Sequence, residues 1–383
     1  MICKLRDLIQ IKNGKDYRTL QQGTIPVYGS GGVMTHIDEY LYDGESVLLP
    51  RKGTLDNIMY VNGKFWTVDT MYWTVVNKDR VLPKYLYYYL SLLNLSSRDS
   101  GSTLPSMTFE SYYSLDVKIP PIELQRKVVD AITPIEEKIT RNNEINDNLL
   151  HQLKLLYDYW FTQFDFPDEN GKPYKSSGGK MTWNTELNQF IPQNWQVGNL
   201  YQIADFINGL ACQNHRPQAF EDSLPVIKIK EMHNGISEDT EKVSSAIPSK
   251  YVINDGDILF SWSASLEVIF WYGGTGCLNQ HIFKVIPKNE NTINYVYYQL
   301  SRYVDIFKKI AESRKTTMGH ITTDHLQQSK IIIAPQNIIN LFESKTQSMR
   351  AQIKNISGET LILRNMQQFL LPMLMNGQAT ISD

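Results

Sequence analysis

Histidine and cysteine are the side chains most often recruited for metal binding and nucleophilic chemistry, so they are the first test of function. His215, His233, His281, His320 and His325 stand at no metal-ligand spacing with one another or with Cys3, Cys212 and Cys277. No Gly-x-Ser-x-Gly elbow, Gly-x-x-x-x-Gly-Lys phosphate loop or His-Glu-x-x-His helix occurs. Carboxylates are numerous, but none forms a nuclease-like or glycosidase-like set, and a single Asp serves more often as a cap or a solvated charge. The expectation is no catalytic residue and no metal. The loops carry a different chemistry. Arg51, Lys52, Arg98, Lys228, Lys230, Arg314 and Lys315 fall in or near expected loops, where Arg and Lys contact phosphate or read guanine. Ser30, Ser102, Thr103, Thr316, Thr317 and His320 lie beside them and can bond to phosphate or base edges. Tyr28 and Trp262 stand next to these loops, either contacting a nucleic acid, supporting the loops, or packing in the core.

These residues need elements to hold them. The chain has 383 residues, enough for two or more domains with real cores. Charged residues make up 20% and hydrophobic ones 42%, which excludes a disordered chain and a membrane protein. There is no apolar run long enough to span a bilayer, and Met1–Gln10 has no apolar signal-peptide core. The three dispersed cysteines make a disulfide framework unexpected and fit a reducing, cytoplasmic setting. A net charge of −2 argues against coating nucleic acid by charge alone. It leaves room for local basic patches beside surfaces that meet other proteins.

The organising stretch is Ile122 to Phe161. Val128, Ile132, Ile135, Ile139, Leu149, Leu153, Leu156 and Trp160 follow steps of three and four, the spacing of a coiled-coil seam. Thr133, Pro134 and Glu136 give a helix-start signal, which predicts a main rod from Pro134 to Phe161, about 40 Å long. A second stretch, Ile338 to Met375, has the same phase. Val128 corresponds to Phe342, Ile135 to Met349, Ile139 to Ile353, Leu149 to Leu363, Leu156 to Leu370 and Trp160 to Leu374. Two apolar rods of matching phase are expected to pack together. Asn142 and Asn146 interrupt the seam, in register with Ile356 and Thr360; they read as a register device, a wet gap or a partner-facing surface. Ser357-Gly358 marks a place for a bend.

The order of elements recurs. Val197–Phe206 parallels Lys4–Ile11, which reads as a short helical face, and Asn208-Gly209 parallels Asn13-Gly14. Leu224–Ile227 parallels Ile25–Tyr28, and Asn294–Leu300 parallels Lys84–Leu90. Ile331–Pro335 parallels Val117–Pro121. Asn62-Gly63 predicts a hairpin turn. The expected architecture is α+β, with two similar domains separated by two long antiparallel helices packed as a coiled coil, in a pseudo-two-fold repeat. The segments are 1–120, the first domain; 121–164, the first helical region; 165–194, a linker rich in turn formers and small residues; 195–334, the second domain; 335–377, the second helical region; and 378–383, a tail.

Several motifs carry a family resemblance. Ile25-Pro26-Val27-Tyr28-Gly29-Ser30-Gly31-Gly32 and Ile119-Pro120-Pro121-Ile122-Glu123-Leu124-Gln125 come first. Trp160-Phe161, Phe164-Asp165-Phe166-Pro167, Gly178-Gly179-Lys180-Met181 and Ile191-Pro192-Gln193-Asn194-Trp195 mark the centre. Thr316–Ile321 and Leu371–Gln378 mark the second half. With these the chain resembles the DNA specificity subunit of type I restriction-modification systems. The second junction, Ala334-Pro335-Gln336-Asn337-Ile338-Ile339, departs from the first by lacking its Glu and Gln. The resemblance implies two target recognition domains, each reading half of a bipartite double-stranded DNA sequence, with the helices setting the spacer. It implies no catalysis by this chain, and the seam residues named above would serve helix packing and subunit docking. It implies as partners two modification (methyltransferase) subunits and two restriction (translocase-nuclease) subunits, and no membrane. S-adenosylmethionine, ATP and magnesium would belong to those partners, with no cofactor bound by this chain. The alternative is an orphan or inactive protein-interaction scaffold that reads no sequence.

Overall fold

The seam residues fall on two helices, Ile122–Tyr157 and Gln336–Met375. The computed structural model describes residues 2–95, 106–263, 265–289, 292–313 and 321–379. It divides into two units, Met1–Ile139 with Leu363–Asp383, and Thr140–Ile362. Val128, Ile132, Leu153, Trp160, Phe342 and Ile353 are buried, and Ile135, Ile139, Leu149, Leu156, Met349, Leu363, Leu370 and Leu374 are half-buried. In the first unit Gln367 donates to Glu136 at 2.9 Å. In the second, Asn142 donates to Glu359 at 2.8 Å and Asn146 to Ser357 at 3.0 Å. Numbering rises along one helix as it falls along the other, so the rods are antiparallel. Asn142 therefore does not face Ile356, nor Asn146 Thr360; their partners are Glu359 and Ser357. The repeat matches the rods in parallel, whereas antiparallel packing opposes different residues. Asn142 is 1% exposed, with its amide held by a carboxylate of the facing rod.

The helix starts are also corrected. Pro134 does not begin the first rod; it lies inside a helix that starts at Ile122. Pro134 is exposed, so the carbonyl that loses its intrahelical partner there lies on the side water can reach. The apolar seam continues through Val128, Ile132, Ile135 and Ile139, and this packing overrides the local start signal. The second rod runs unbroken through Ser357-Gly358. After Tyr157 the first rod widens into a π-helical turn, Asp158–Thr162, whose Trp160 and Phe161 are both buried.

The duplication is visible in backbone pairing. Ile2–Lys4 runs antiparallel to Asp116–Lys118, and Gln196–Gly198 to Ile331–Ile333. Ile9–Lys12 pairs with Met71–Val76, and Ala204–Asn208 with Ile282–Pro287. Val27 and Tyr28 lie parallel to Trp66 and Thr67, as Val226 and Ile227 do to Cys277 and Leu278. Behind each Asn-Gly turn a backbone amide crosses back at 2.8 Å, from Lys15 to Thr67 and from Leu210 to Leu278. Gly14 and Gly209 make that approach possible. A Cβ on either would sit 2.0 Å from a carbonyl oxygen, of Val68 or of Asn279.

Three local expectations change. Lys4–Ile11 is not a helical face; it is a strand, a single 3-10 turn at Leu5–Asp7 and the strand Ile9–Lys12. Asn62-Gly63 is not a hairpin turn. The strand Met59–Thr67 runs through it, with Gly63 opposite Gly44 on Tyr42–Pro50, because pairing over Tyr42–Leu48 outweighs the turn propensity. The segment after the first rod is built, not loose. Met181–Asn184 and Gln189–Pro192 form a hairpin. Phe166 stacks between Tyr174 at 4.6 Å and Trp195 at 5.1 Å. Asp165 accepts the backbone N–H of Ser176 at 2.7 Å and its hydroxyl at 2.6 Å.

Candidate nucleic-acid interface

In the first unit the strands deliver three loops to one place. Val68 N–H donates to Tyr28 O at 3.0 Å, Arg51 N–H to Thr70 O at 2.8 Å and Met107 N–H to Arg51 O at 3.0 Å. Lys52 bridges to Ser106. Asn57 Nδ2 donates to Ser30 O at 2.7 Å. Tyr28, Ser30, Arg51 and Lys52, distant in sequence, are thus drawn together. Their chemistry differs. Tyr28 packs against the cluster of Leu48, Val61, Phe65 and Met71, and burial pushes its hydroxyl pKa up. Arg51 is half-buried, 5.9 Å over the Tyr72 ring and 3.4 Å from Asp69 O. Lys52 is exposed. The site offers an ammonium to solvent beside a braced guanidinium, the pattern of a phosphate or base-edge contact.

The second unit repeats the backbone scheme with other side chains. Trp262 N–H donates to His281 O at 3.4 Å and Ile321 N–H to Trp262 O at 3.1 Å, so Trp262 occupies the position of Arg51. Its indole N–H donates to Asn208 at 3.1 Å and its ring packs on His281 and Phe283. The same backbone position thus presents a cation in one unit and an aromatic plate in the other. Lys228 is ion-paired with Glu241, which occupies its charge. Lys230 is exposed on the short helix Ile229–Asn234. Cys212 and Cys277 come together as free, buried thiols 3.6 Å apart. Their mutual hydrogen bond holds the Cys212 pKa down and, with burial, pushes that of Cys277 up.

The family model of the type I restriction modification DNA specificity domain matches residues 1–151 and 192–353. The chain belongs to this family. It is similar to the HindI specificity subunit of Haemophilus influenzae, at 24% identity over 85% of this chain and 82% of that one. It is similar to the MjaIX specificity subunit of Methanocaldococcus jannaschii, at 24% identity over 81% of this chain and 72% of the relative. Its fold resembles the S subunit crystal structure from M. genitalium, with TM-score 0.57 and 12% identity, covering 100% of this chain and 96% of that one.

For a member of the specificity family, several contacts escape sequence reading. Gln125 is fully buried; it accepts Leu82 N–H at 2.8 Å and donates to Arg80 O at 3.1 Å and Pro120 O at 2.9 Å. It fastens the first junction. The second junction lacks that Gln, and there Glu343 on the second rod accepts Tyr295 N–H at 2.8 Å, with Thr346 accepting from Asn294 at 2.9 Å. Burial pushes the Glu343 pKa up to about 7. A second apolar stripe, Ile362, Met366 and Phe369 at 61%, 45% and 66% exposure, lies beside the seam of the second rod. These residues recur at i, i+4 and i+7 on one helix face. Arg98, Ser102, Thr103, Arg314, Lys315, Thr316, Thr317 and His320 lie outside the described residues.

Proposed function

We propose that this chain reads a bipartite double-stranded DNA target, one half-site per domain, and performs no chemistry itself. The domains are 1–120 and 195–334, the helical regions 121–164 and 335–377, and 165–194 joins the halves. The observation that carries the reading is the duplicated framework with unlike residues at matching loop positions, Arg51 against Trp262. A shared scaffold with divergent loops suits two different half-sites. The rods would set the spacer and, with the exposed stripe at Ile362, Met366 and Phe369, would carry two adenine methyltransferase subunits, which two restriction subunits would join. Apolar helix stripes of this kind are covered by partner helices. S-adenosylmethionine, ATP and magnesium would bind those partners. The setting would be cytoplasmic.

The test is methylome sequencing of a host co-expressing the full chain and its modification partner, repeated with residues 1–120 exchanged for those of another member. One half-site should change and the other persist. Change in both half-sites refutes the modular reading. Absence of any sequence preference favours a protein scaffold instead.

A further inference from the structure

We infer that Asn57 is a positioning residue for sequence reading by the first domain, an inference that rests on the DNA-reading function proposed above. The turn Ser30-Gly31 links Gln22–Gly29 to Gly32–Ile37, a strand whose Val33 and Met34 are 51% and 55% exposed. Gly31 and Gly32 have nothing within 4 Å of where a side chain would begin. Side chains do not pack at Gly31 and Gly32, so the backbone pairing of Gly29 with Gly32 and polar contacts hold this turn. Asn57 supplies one, donating from Nδ2 to Ser30 O at 2.7 Å. Nearby, Gly53 adopts φ +91° and passes so close that a Cβ would lie 3.0 Å from Ser30 Oγ.

Asn57 is itself held on a firm base. Leu55 and Ile58, on either side, are 1% and 6% exposed. Asp56 accepts Leu95 N–H at 2.8 Å. Asn57 N–H donates to Thr54 O at 3.2 Å, and Arg51 and Lys52 at the start of the same segment are tied to Thr70 and Ser106. The amide of Asn57 therefore ties the position of this segment to that of the hairpin turn. It sets the distance between the Ser30-Gly31 turn and the Arg51–Lys52 cations. Two loops that must reach one half-site together need that distance fixed, because base readout tolerates little displacement. Among the described residues the second unit shows no such clasp. After Ile227 its chain turns into the helix Ile229–Asn234, with no hairpin turn to hold. Disturbing Asn57 should therefore affect one half-site alone.

The test uses the full chain with its modification partner and selection from random duplexes, on Asn57→Asp, Asn57→Ala and Asn57→Gln. Asp is nearly isosteric but places an acceptor against Ser30 O. We expect Asn57→Asp and Asn57→Ala to relax base preference at the first half-site by about tenfold, leaving the second half-site and the yield of folded complex as in the parent. Asn57→Gln, which keeps a donor, should restore part of the preference. Hydrogen exchange should quicken at Gly31–Met34 in Asn57→Asp and not at Asn208–Leu210. Unchanged preference at the first half-site, or equal relaxation at both, overturns the inference. If the parent chain selects no sequence, the DNA-reading function itself fails and takes this inference with it. A parent that selects while the variants match it removes only Asn57.

Discussion

Glu343 gives the fold a pH dependence that can be calculated. Its carboxyl lies on the second rod, 8% exposed, and accepts the backbone N–H of Tyr295 in the first turn of the helix Ile293–Ser313. Burial raises its pKa from 4.5 to about 7, while that hydrogen bond and the charge of Arg350 pull it partly back. Between these two values the unfolded chain is ionised and the folded chain holds its proton. The folded state binds more protons there, so stability falls as pH rises, starting near 4.5 and levelling off above about 7. At about 1.4 kcal/mol per pH unit the full cost is about 3 kcal/mol. Glu343→Gln keeps an acceptor for Tyr295 and carries no charge. Thermal unfolding of parent and variant from pH 4.5 to 8.5 checks this. The variant should match the parent at the acid end and exceed it above pH 7, by up to about 6–12 °C at roughly 2–4 °C per kcal/mol. Background titrations cancel in the difference. A parent–variant gap that does not change with pH refutes the reasoning.

Three further outcomes follow from particular contacts. Gln125→Ala strands the Leu82 N–H and removes two further bonds, so it should cost about 3 kcal/mol, read by denaturant unfolding and by faster exchange at Leu82. Gly209→Ala drives a Cβ to 2.0 Å from Asn279 O and should cost at least about 3 kcal/mol, with loss of soluble protein as the first sign; a stable, well-folded variant contradicts the close approach. Deleting one heptad from each rod keeps the seam in phase and shortens each by about 10 Å. The spacer in the methylated sequence should shrink by about three base pairs, and an unchanged spacer rules out the rods as its ruler.

The seam was legible because a heptad repeat is a one-dimensional signal. From Val128 to Trp160 the residues at every third or fourth position are apolar except Asn142 and Asn146, and that pattern is written in order along the chain. The duplication was legible for a similar reason: Asn13-Gly14 and Asn208-Gly209 are local necessities of a backbone crossing that occurs twice. Turn signals were less dependable. Asn62-Gly63 and Pro134 carry strong local preferences of about 1–3 kcal/mol, and both yield to a paired strand or a packed helix that gathers more energy from distant residues.

By itself, then, the sequence determined the two rods, their shared phase, the repeat and the family, all of which depend on periodicity and order. The tertiary structure alone decided who faces whom. It set Asn142 against Glu359 and not Ile356, joined Asn57 to Ser30, brought Cys212 to Cys277, and handed the task of Gln125 to Glu343 in the second half. Each of these pairs residues far apart in the chain. Such contacts are fixed by strand register and helix direction, and neither is encoded in the spacing of either partner alone.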